Sequence, residues 1–315
     1  MRRMWGTQYH GFPSCNPKSI SRSSLDVLKT HVYDICLKSD GVRYVLLMTQ
    51  RMGCENESSA VALMIDRSRN MYEVEVVAPA EYFTDGTLLE GELVWRQPDE
   101  DAMIFYMFDA ICIKGECVAS LPFHERIRRV HSTVRYSDDL HDAADVDEQA
   151  LEMDSVVMVH YRPRITMRAK HFVSIEHAPR LWRDRGDAEH RVDGIILQNV
   201  DAAYCSGTAW DNSCLKWKDH SSVDLKGTSE RLCTNDAVLP SVLLDRRVVV
   251  EPSRIVGSDD SILEYHVTVT PDEIRFMAMR SRPDKDVPNS LHVVSATIND
   301  VINHIQPCDF VASVS

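Results

Sequence analysis

One lysine, Lys38, ends an apolar run and opens the stretch KSDGVR, in which Asp40, Gly41 and Arg43 follow closely. Alone, such a lysine is ordinarily an exposed surface residue. Its amine becomes a nucleophile when neighbouring cations or partial burial lower its pKa from about 10.4 to near neutrality, which takes about 4 to 5 kcal/mol. Lys38 is therefore a candidate for covalent attack, and the rest of the chain must supply the groups that hold an electrophile.

Five more motifs follow Lys38 in order along the chain. Lys216 and Lys218 are two residues apart on a predicted strand, so they would share one face, hold a phosphate and add positive charge. A Mg²⁺ ion near Glu92 or Asp193 would neutralise a triphosphate. Each motif alone is also typical of ordinary strand or core residues. The inference of a covalent nucleotide site therefore depends on their occurring together in this order. The motifs are EGEL at Glu90–Leu93, FD at Phe108 and Asp109, VDGII at Val192–Ile196, LKWK at Leu215–Lys218 and RSRPDKDVPN at Arg280–Asn289.

Strands are the elements that must position these residues. Segments rich in Val, Ile, Leu and Tyr, separated by turn formers, predict an antiparallel sheet. A short helix is predicted from Ser21 or Ser23 through SSLDVLKT, and the apolar spacing in LPFHERIRRVHSTVRY predicts a second helix with one buried face. Further strands are predicted between Ser155 and Val200. The predicted strands before the second helix are HVYDICL, VRYVLLM, AVALMID, MYEVEVVA, GELVW and AMIFYMFDAICI.

The sequence changes character at about Ser221. From there, AVLPSVLL, RRVVVEP, SILEYHVTVT and EIRFMAMR are short strand-like segments separated by turns, a pattern that predicts a small barrel such as an OB-fold. TINDVINHI predicts a terminal helix with Thr297 as its N-cap. We therefore expect an α+β protein with two domains, 1–220 and 221–315. Antiparallel sheets with flanking helices would form the first.

The composition is that of a folded globular protein. Of the 315 residues, 44% are hydrophobic and 26% are charged, which is too apolar for a disordered chain and long enough for two domains. The net charge of −13 argues against nonspecific coating of nucleic acid, because phosphate binding depends on clustered Lys and Arg. Much of the acid lies between Ser137 and Asp154, which we interpret as a solvated insertion or acidic helix face.

The cysteines and the hydropathy pattern indicate the cellular compartment in which the protein is expected. Nine cysteines without any Cys-x-x-Cys pair indicate reduced thiols, rather than a zinc site or a disulfide framework. No signal peptide precedes the first strands, and no apolar run approaches the roughly 18 residues of a membrane span. We therefore expect a soluble intracellular protein without membrane association.

The ordered motifs resemble those of the covalent nucleotidyltransferases, the superfamily of ATP-dependent ligases and mRNA capping enzymes. The last motif, which contains Arg282, Asp284, Lys285, Pro288 and Asn289, is similar to that of the capping guanylyltransferases, and the layout resembles the compact viral capping enzymes. The resemblance implies a nucleotidyltransferase domain that forms a lysyl-GMP intermediate from GTP. Transfer of the GMP to a 5′-diphosphate RNA end would then make the GpppN cap.

Two other functions stay open at this point. An ATP-dependent polynucleotide ligase shares the first five motifs and is the alternative enzyme. An inactive scaffold, whose OB-like domain only recruits RNA or a polymerase subunit, is the alternative from another class.

The resemblance also implies a role for each motif residue. Asp40 and Gly41 belong to the nucleotide-binding motif that begins with the nucleophile Lys38. The motif in the second domain would reach the β- and γ-phosphates only when the domains close, which makes a clamshell motion part of the first step. The implied contacts are the α-phosphate for Lys216 and Lys218, the ribose for Arg43 and Glu92, base stacking for Phe108, the guanine edge for Lys170, the metal for Asp193 and Glu92, and the outer phosphates for Arg282, Asp284 and Lys285.

Cofactor and partners follow from the same resemblance. The cofactor would be Mg²⁺ or Mn²⁺, and the site of action the nucleus or a cytoplasmic viral replication site. The chain lacks a His-Cys-x-x-x-x-x-Arg phosphatase signature, so a separate RNA triphosphatase and a separate cap methyltransferase are expected, along with RNA polymerase. Two positions depart from the family pattern. Glu90 stands where aspartate is usual, and Trp217 stands where a smaller aliphatic residue is common.

Overall fold

The computed structural model describes residues 12–51, 60–96, 103–141, 165–209, 211–227, 231–251, 261–283 and 285–314. Most of the acidic segment and Asp284 of the last motif lie outside the described residues. Contacts between Cα atoms divide the chain into two compact units. The first contains the described residues up to Ser19 together with Val27–Lys216, and the second contains Ile20–Asp26 and Trp217–Ser313.

The strands occur where the apolar, β-branched segments predicted them, and several short ones were not anticipated. In chain order they are β1 (Cys15–Asn16), β2 (Lys18–Ser19), β3 (Tyr33–Ser39), β4 (Val42–Gln50), β5 (Ala60–Ile65), β6 (Met71–Val74), β7 (Thr87–Trp95), β8 (Met103–Ile113), β9 (Glu116–Cys117), β10 (Thr166–Ala169), β11 (Val173–Ser174), β12 (Val192–Asn199), β13 (Gly207–Thr208), β14 (Cys214–Lys218), β15 (Ser222–Gly227), β16 (Leu232–Cys233), β17 (Val242–Leu243), β18 (Arg246–Val250), β19 (Ile262–Val269) and β20 (Glu273–Ser281).

Helices are few and mostly short in the described part of the chain. The long one follows β9, as its apolar spacing predicted. The α-helices are α1 (Glu81–Thr84), α2 (Phe123–His141), α3 (Ala178–Arg183), α4 (Leu291–Ile302) and α5 (Pro307–Val314), and the 3₁₀-helices are Arg22–Lys29, Ile175–His177 and Asp184–Asp187. Within the described residues, none of these helices has the length and apolarity needed to cross a membrane.

The first unit is built on two sheets. A seven-stranded sheet has the order β10-β8-β7-β4-β5-β6, with β9 paired to β8, and a five-stranded sheet has the order β11-β3-β12-β14-β2. Helix α2 packs on β8 and β10 through the buried side chains of Phe123, Ile127 and Val130. Those residues recur at helical spacing, so one face of α2 closes the core of the seven-stranded sheet.

The second unit has a six-stranded sheet of order β16-β15-β19-β20-β18-β17. Helix α4 covers its inner face and buries Val294 and Ile298 against β-strand residues such as Leu263 and Phe276. The helix begins seven residues earlier than the sequence predicted. Ser290, not Thr297, is its N-cap and accepts a hydrogen bond from the Val293 amide at 3.3 Å.

The sheets also differ from the expectation of purely antiparallel pairing. β10–β8, β14–β2, β1–β13 and β18–β20 are parallel pairs. In addition, β3 does not continue into the sheet of β4–β8, because the turn after Lys38 directs the chain into the other sheet. The structure is therefore α+β with mixed sheets, and the OB-fold stays a prediction for the second unit.

Candidate functional site

Lys38 and Asp193 lie on neighbouring strands of the five-stranded sheet. Val192 pairs with Ser39 and Gly194 pairs with Lys38, so Asp193 is the extra residue of a β-bulge in β12. A bulge turns a side chain away from its regular direction. Here Lys38 Nζ donates to Asp193 Oδ1 at 2.7 Å, with both side chains partly exposed, at 21% and 29%.

Lys216 and Lys218 lie on β14, the next strand beyond β12. Both are half-buried and alternate with the buried Leu215 and Trp217, as the predicted strand period requires. Trp217 fills the space that a smaller residue would leave, and its indole N–H donates to the Ile305 carbonyl at 2.8 Å. The unusual tryptophan is thus accommodated by burial and by one hydrogen bond.

Arg43 and Glu92 are directly opposed on β4 and β7, so the two residues proposed to contact ribose share one face of the seven-stranded sheet. Gly41 makes this approach possible. A Cβ atom there would lie 2.4 Å from the Leu93 carbonyl oxygen and 2.7 Å from Val94 Cγ1. Any side chain would therefore separate β4 from β7.

The turn that contains Asp40 is tied to the strand carrying the metal-binding candidate. The Asp40 amide donates to the Arg191 carbonyl at 2.9 Å, and its side chain is exposed. A backbone hydrogen bond thereby links the turn after Lys38 to the strand of Asp193, because Arg191 directly precedes β12.

Glu90 is fully buried. It is therefore not the solvated residue that a glutamate on a strand would ordinarily be. Its carboxylate accepts hydrogen bonds from the Ser14 hydroxyl and, at 2.6 Å, from the Tyr204 hydroxyl, and it lies 3.7 Å from the Arg43 guanidinium. Burial raises the pKa of Glu90 against the lowering effect of Arg43. Burial alone would lower the pKa of Arg43, but the nearby Glu90 and Glu92 raise it. Glu90 therefore anchors Arg43.

Phe108 is the extra residue of a second bulge. On β7 and β8, Glu90 pairs with Asp109 and Gly91 pairs with Met107, which leaves Phe108 without an opposite residue. Its half-buried ring lies beneath the Arg43 guanidinium, 5.4 Å from the carbon to the ring centroid. This places an aromatic face and a cation side by side, as binding of a nucleobase and its ribose requires.

Asp109 forms a buried ion pair with Arg126 of α2. Arg126 Nε and Nη2 donate to the two carboxylate oxygens at 2.7 and 2.9 Å, and Nη1 donates to the carbonyls of Leu121 and Ala202. The carboxylate also accepts from the Ala110 amide at 2.8 Å. Fixed in this way on both sides, Asp109 sets the position of the bulge at Phe108.

Lys170 directly follows β10 and is buried beside the nucleophile strand. Its ammonium donates to the Leu37 carbonyl at 2.8 Å and to the Ser39 hydroxyl. Burial lowers the pKa of Lys170, and the positive charge of Lys38 lowers it further. Lys170, Lys38, Asp193 and Glu92 are therefore electrostatically coupled.

Arg282 and Lys285 lie in the second unit. Arg282 Nη1 donates to Asp224 Oδ1 at 2.8 Å and lies 3.6 Å from Glu264, while Lys285 Nζ is 3.6 Å from Asp224. The Asn289 amide group accepts from the Asp224 backbone N–H at 2.7 Å. The last motif is thus held on the sheet by acidic partners, which bind these cations as phosphates would.

The two carboxylates predicted to bind a divalent metal, Glu92 and Asp193, both lie in the first unit. Among the described residues, no three His, Cys, Asp or Glu side chains form a complete metal site. The negative charges of Glu92 and Asp193 nevertheless both raise the pKa of Lys170. Mg²⁺ ordinarily binds one or two carboxylates together with substrate phosphates, so a pair of carboxylates is the expected protein share.

The sequence missed several contacts around the site, including one between Ser39 and His190 at 2.6 Å. Ser14, Tyr204, Ser39, His190 and Arg126 are separated from their partners by 17 to 151 residues, beyond the reach of local patterns. Only the position of Ser39 beside Lys38 could have drawn attention to one of them.

Comparison with known proteins gives the family. Residues 1–220 match the family model described as mRNA capping enzyme, catalytic domain. The mRNA-capping enzyme of Caenorhabditis elegans is 22% identical over 326 residues, which covers 94% of this chain and 47% of that protein. The mRNA-capping enzyme subunit alpha of Schizosaccharomyces pombe is 30% identical over 227 residues, covering 69% of this chain and 52% of that protein. The chain thus spans about half the length of these relatives.

Solved structures resemble this chain at lower sequence identity. Mycobacterial DNA ligase D complexed with ATP and MES has a TM-score of 0.46 and 14% identity, covering 88% of this chain and 97% of that chain. A Lig E DNA ligase has a TM-score of 0.39 with 14% identity, covering 87% of this chain and 100% of that chain.

Proposed function

The chain belongs to the mRNA capping enzyme family, and on that premise we propose that it is an mRNA guanylyltransferase. It takes GMP from GTP onto Lys38 and transfers it to the 5′-diphosphate end of RNA, which yields the GpppN cap. The observation that carries this proposal is the placement of Lys38 within 2.7 Å of Asp193 and in the electrostatic field of the buried Lys170. Asp193 can accept the proton that Lys38 must lose before it attacks phosphorus, and a nearby cation favours the neutral amine.

In the first step, the Lys38 nitrogen attacks the α-phosphorus of GTP. A nitrogen–phosphorus bond forms, the bond from the α-phosphorus to the bridging oxygen breaks, and pyrophosphate leaves. Before attack, Lys38 must give up one ammonium proton, and Asp193 Oδ1, at 2.7 Å, lies within transfer distance. Lys216 and Lys218 of β14 stabilise the charge on the α-phosphate, which is the main requirement of phosphoryl transfer.

Binding of the nucleoside is assigned to the other sheet. Phe108 stacks on the base, Arg43 and Glu92 contact the ribose, and Lys170 contacts the guanine edge. Asp40 and Gly41 shape the turn beneath the nucleotide. Asp193 and Glu92 would hold Mg²⁺ or Mn²⁺, which supplies charge neutralisation for the triphosphate when bound.

In the second step, a terminal phosphate oxygen of the RNA diphosphate attacks the GMP phosphorus and releases Lys38. Arg282, Asp284 and Lys285 act earlier, on the β- and γ-phosphates of GTP. We propose domain boundaries at 1–220 and 221–315 and an OB-fold for the second domain. A separate RNA triphosphatase supplies the diphosphate end, a separate methyltransferase acts on the product, and RNA polymerase supplies the transcript, in the nucleus or at a cytoplasmic viral replication site.

The alternative is an ATP-dependent polynucleotide ligase. Incubation with 5′-diphosphate RNA and labelled GTP separates the two functions. We expect the label to appear in a cap that resists phosphatase, with little label from ATP. Sealing of a nicked duplex with ATP and no cap from GTP would overturn the proposal.

A further inference from the structure

Ser39 lies at the junction of the two sheets, next to the nucleophile. It is fully buried, and its hydroxyl contacts two titratable groups, the Lys170 ammonium and, at 2.6 Å, His190 Nε2. Neither the proposed phosphoryl transfer nor metal binding requires these contacts. They form a chain from Lys170 through Ser39 to His190.

The direction of the hydrogen bonds in this chain can be assigned by counting donors. As an ammonium, Lys170 only donates, so Ser39 Oγ accepts from it. If the Ser39 hydroxyl then donates to His190 Nε2, His190 is neutral and carries its proton on Nδ1. Of the polar atoms in this chain of contacts, only that Nδ1–H then lacks a partner among the described residues.

The opposite tautomer is less well satisfied. If His190 Nε2 donated to Ser39, the hydroxyl proton and the Nδ1 lone pair would both be buried without a partner in the described part of the chain. Each unsatisfied buried group carries a desolvation penalty. The Nδ1–H tautomer is therefore the favoured one, and burial together with Lys170 lowers the pKa of His190 to about 4, which keeps the ring neutral.

The neutral ring is itself fixed from the other side. The Tyr106 ring lies 4.8 Å from it between centroids, and the Tyr106 hydroxyl donates to Glu189 at 2.6 Å. Glu189 is also bound by Arg168 and lies 3.3 Å from Arg96. The imidazole cannot rotate without disturbing this cluster.

The consequence falls on Lys170. An ammonium has three donors, of which one goes to Leu37 and one to Ser39. The third has no hydrogen-bond acceptor in the described ranges, and the centroid of the Tyr106 ring lies 5.5 Å from the ammonium nitrogen. The direction of the third N–H is set by the other two, so the Ser39 and Leu37 contacts fix where it points.

We infer that Ser39 and His190 are positioning residues that orient Lys170 so that its remaining N–H reads a carbonyl oxygen at position 6 of a purine. This rests on the proposed function. A carbonyl accepts that hydrogen bond, whereas the amino group of adenine presents a donor and leaves the ammonium unpaired. Sites built on such a bond discriminate strongly against a base that lacks the acceptor.

The first test compares covalent labelling by α-labelled GTP, ITP and ATP at subsaturating concentrations. ITP shares the 6-carbonyl with GTP but lacks its 2-amino group. We expect wild type to prefer GTP and ITP over ATP, and Ser39→Ala and His190→Leu to lose more than about tenfold of that preference. His190→Gln keeps an acceptor near the position of Nε2 and should retain the preference.

The outcomes separate the two claims. Absence of GTP labelling in wild type would contradict the proposed function. Normal labelling in wild type with unchanged GTP-to-ATP ratios in folded Ser39→Ala and His190→Leu would overturn the inference. If these variants do not fold, ¹⁵N NMR of histidine-labelled wild type decides, since we expect the His190 signals of an unprotonated Nε2 and a protonated Nδ1. An imidazolium or a protonated Nε2 would overturn the assignment.

Discussion

Lys38 Nζ and Asp193 Oδ1 are 2.7 Å apart across two neighbouring strands. This contact exists because Asp193 is the extra residue of a bulge in β12, directly before Gly194, the register partner of Lys38. It holds the amine in position, but it also favours the ammonium form, whose nitrogen has no free electron pair to attack phosphorus. Before attack, either binding of nucleotide and metal draws Asp193 away, or Asp193 accepts the lysine proton. Both routes couple substrate binding to activation of the nucleophile.

Asp193→Asn should lower the rate of lysyl-GMP formation by about a hundredfold or more, because it removes a charge from the site of transfer. The rate is measured by labelling with α-labelled GTP in single-turnover conditions. Asp201→Asn is the matched control, since its side chain is 74% exposed and lies outside the site. Equal rates for both variants would show that the contact with Lys38 has no role in the reaction.

Arg282→Ala should slow the first step by about 10- to 100-fold, the range expected for a lost charged hydrogen bond, and should leave the second step nearly unchanged. The reason is that the β- and γ-phosphates are present in GTP and absent from lysyl-GMP. Isolated lysyl-GMP protein is mixed with diphosphate RNA to follow the second step alone. Arg280→Ala, at a more exposed arginine paired with Glu264 at 2.7 Å, serves as control. A loss confined to the second step would contradict the assignment.

Arg126→Met should destabilise the protein by about 3 to 5 kcal/mol, because it leaves the buried Asp109 carboxylate without its partner. Urea unfolding followed by circular dichroism measures the free energy. Arg129→Met removes a neighbouring arginine of the same helix whose pair with Glu116 is exposed, and it should cost less than about 1 kcal/mol. Similar losses for both variants would mean that the Asp109 pair does not anchor the strand.

His190 should make the free energy of unfolding depend on pH between about 6.5 and 4. Its pKa in the folded protein is lowered to about 4 by burial and by Lys170, so between these values the unfolded chain binds the extra proton. Stability therefore falls as pH is lowered through this window, by about 3 kcal/mol for this group. His190→Gln should remove that part of the slope, and the exposed His171→Gln should retain it. An unchanged slope in His190→Gln would contradict a buried neutral histidine.

The strands and the long helix could be predicted because their signals are local. Segments rich in Val, Ile, Leu and Tyr predicted β4, β5, β7 and β8, and the spacing of Phe123, Ile127 and Val130 predicted α2. The N-cap of α4 was misplaced, because Thr297 and Ser290 are both good caps and only packing of Leu291–Ile302 on the second sheet decides between them.

The candidate site was predictable as a set of motifs but not as a geometry. Nothing in VDGII indicates that Asp193 occupies a bulge, since a bulge depends on the register with β3. The burial of Glu90 likewise depends on Ser14 and Tyr204, which are 76 and 114 residues away. Contacts of that separation are set by the tertiary fold and leave no local pattern.

The central claim is that Lys38 carries GMP, and intact-protein mass spectrometry after incubation with GTP and Mg²⁺ tests it most directly. We predict a mass gain of one GMP, mapped by peptide analysis to Lys38, reversed by pyrophosphate, absent in Lys38→Ala and unchanged in Lys114→Ala. An adduct on another residue, an adduct formed from ATP alone, or full labelling of Lys38→Ala would contradict it.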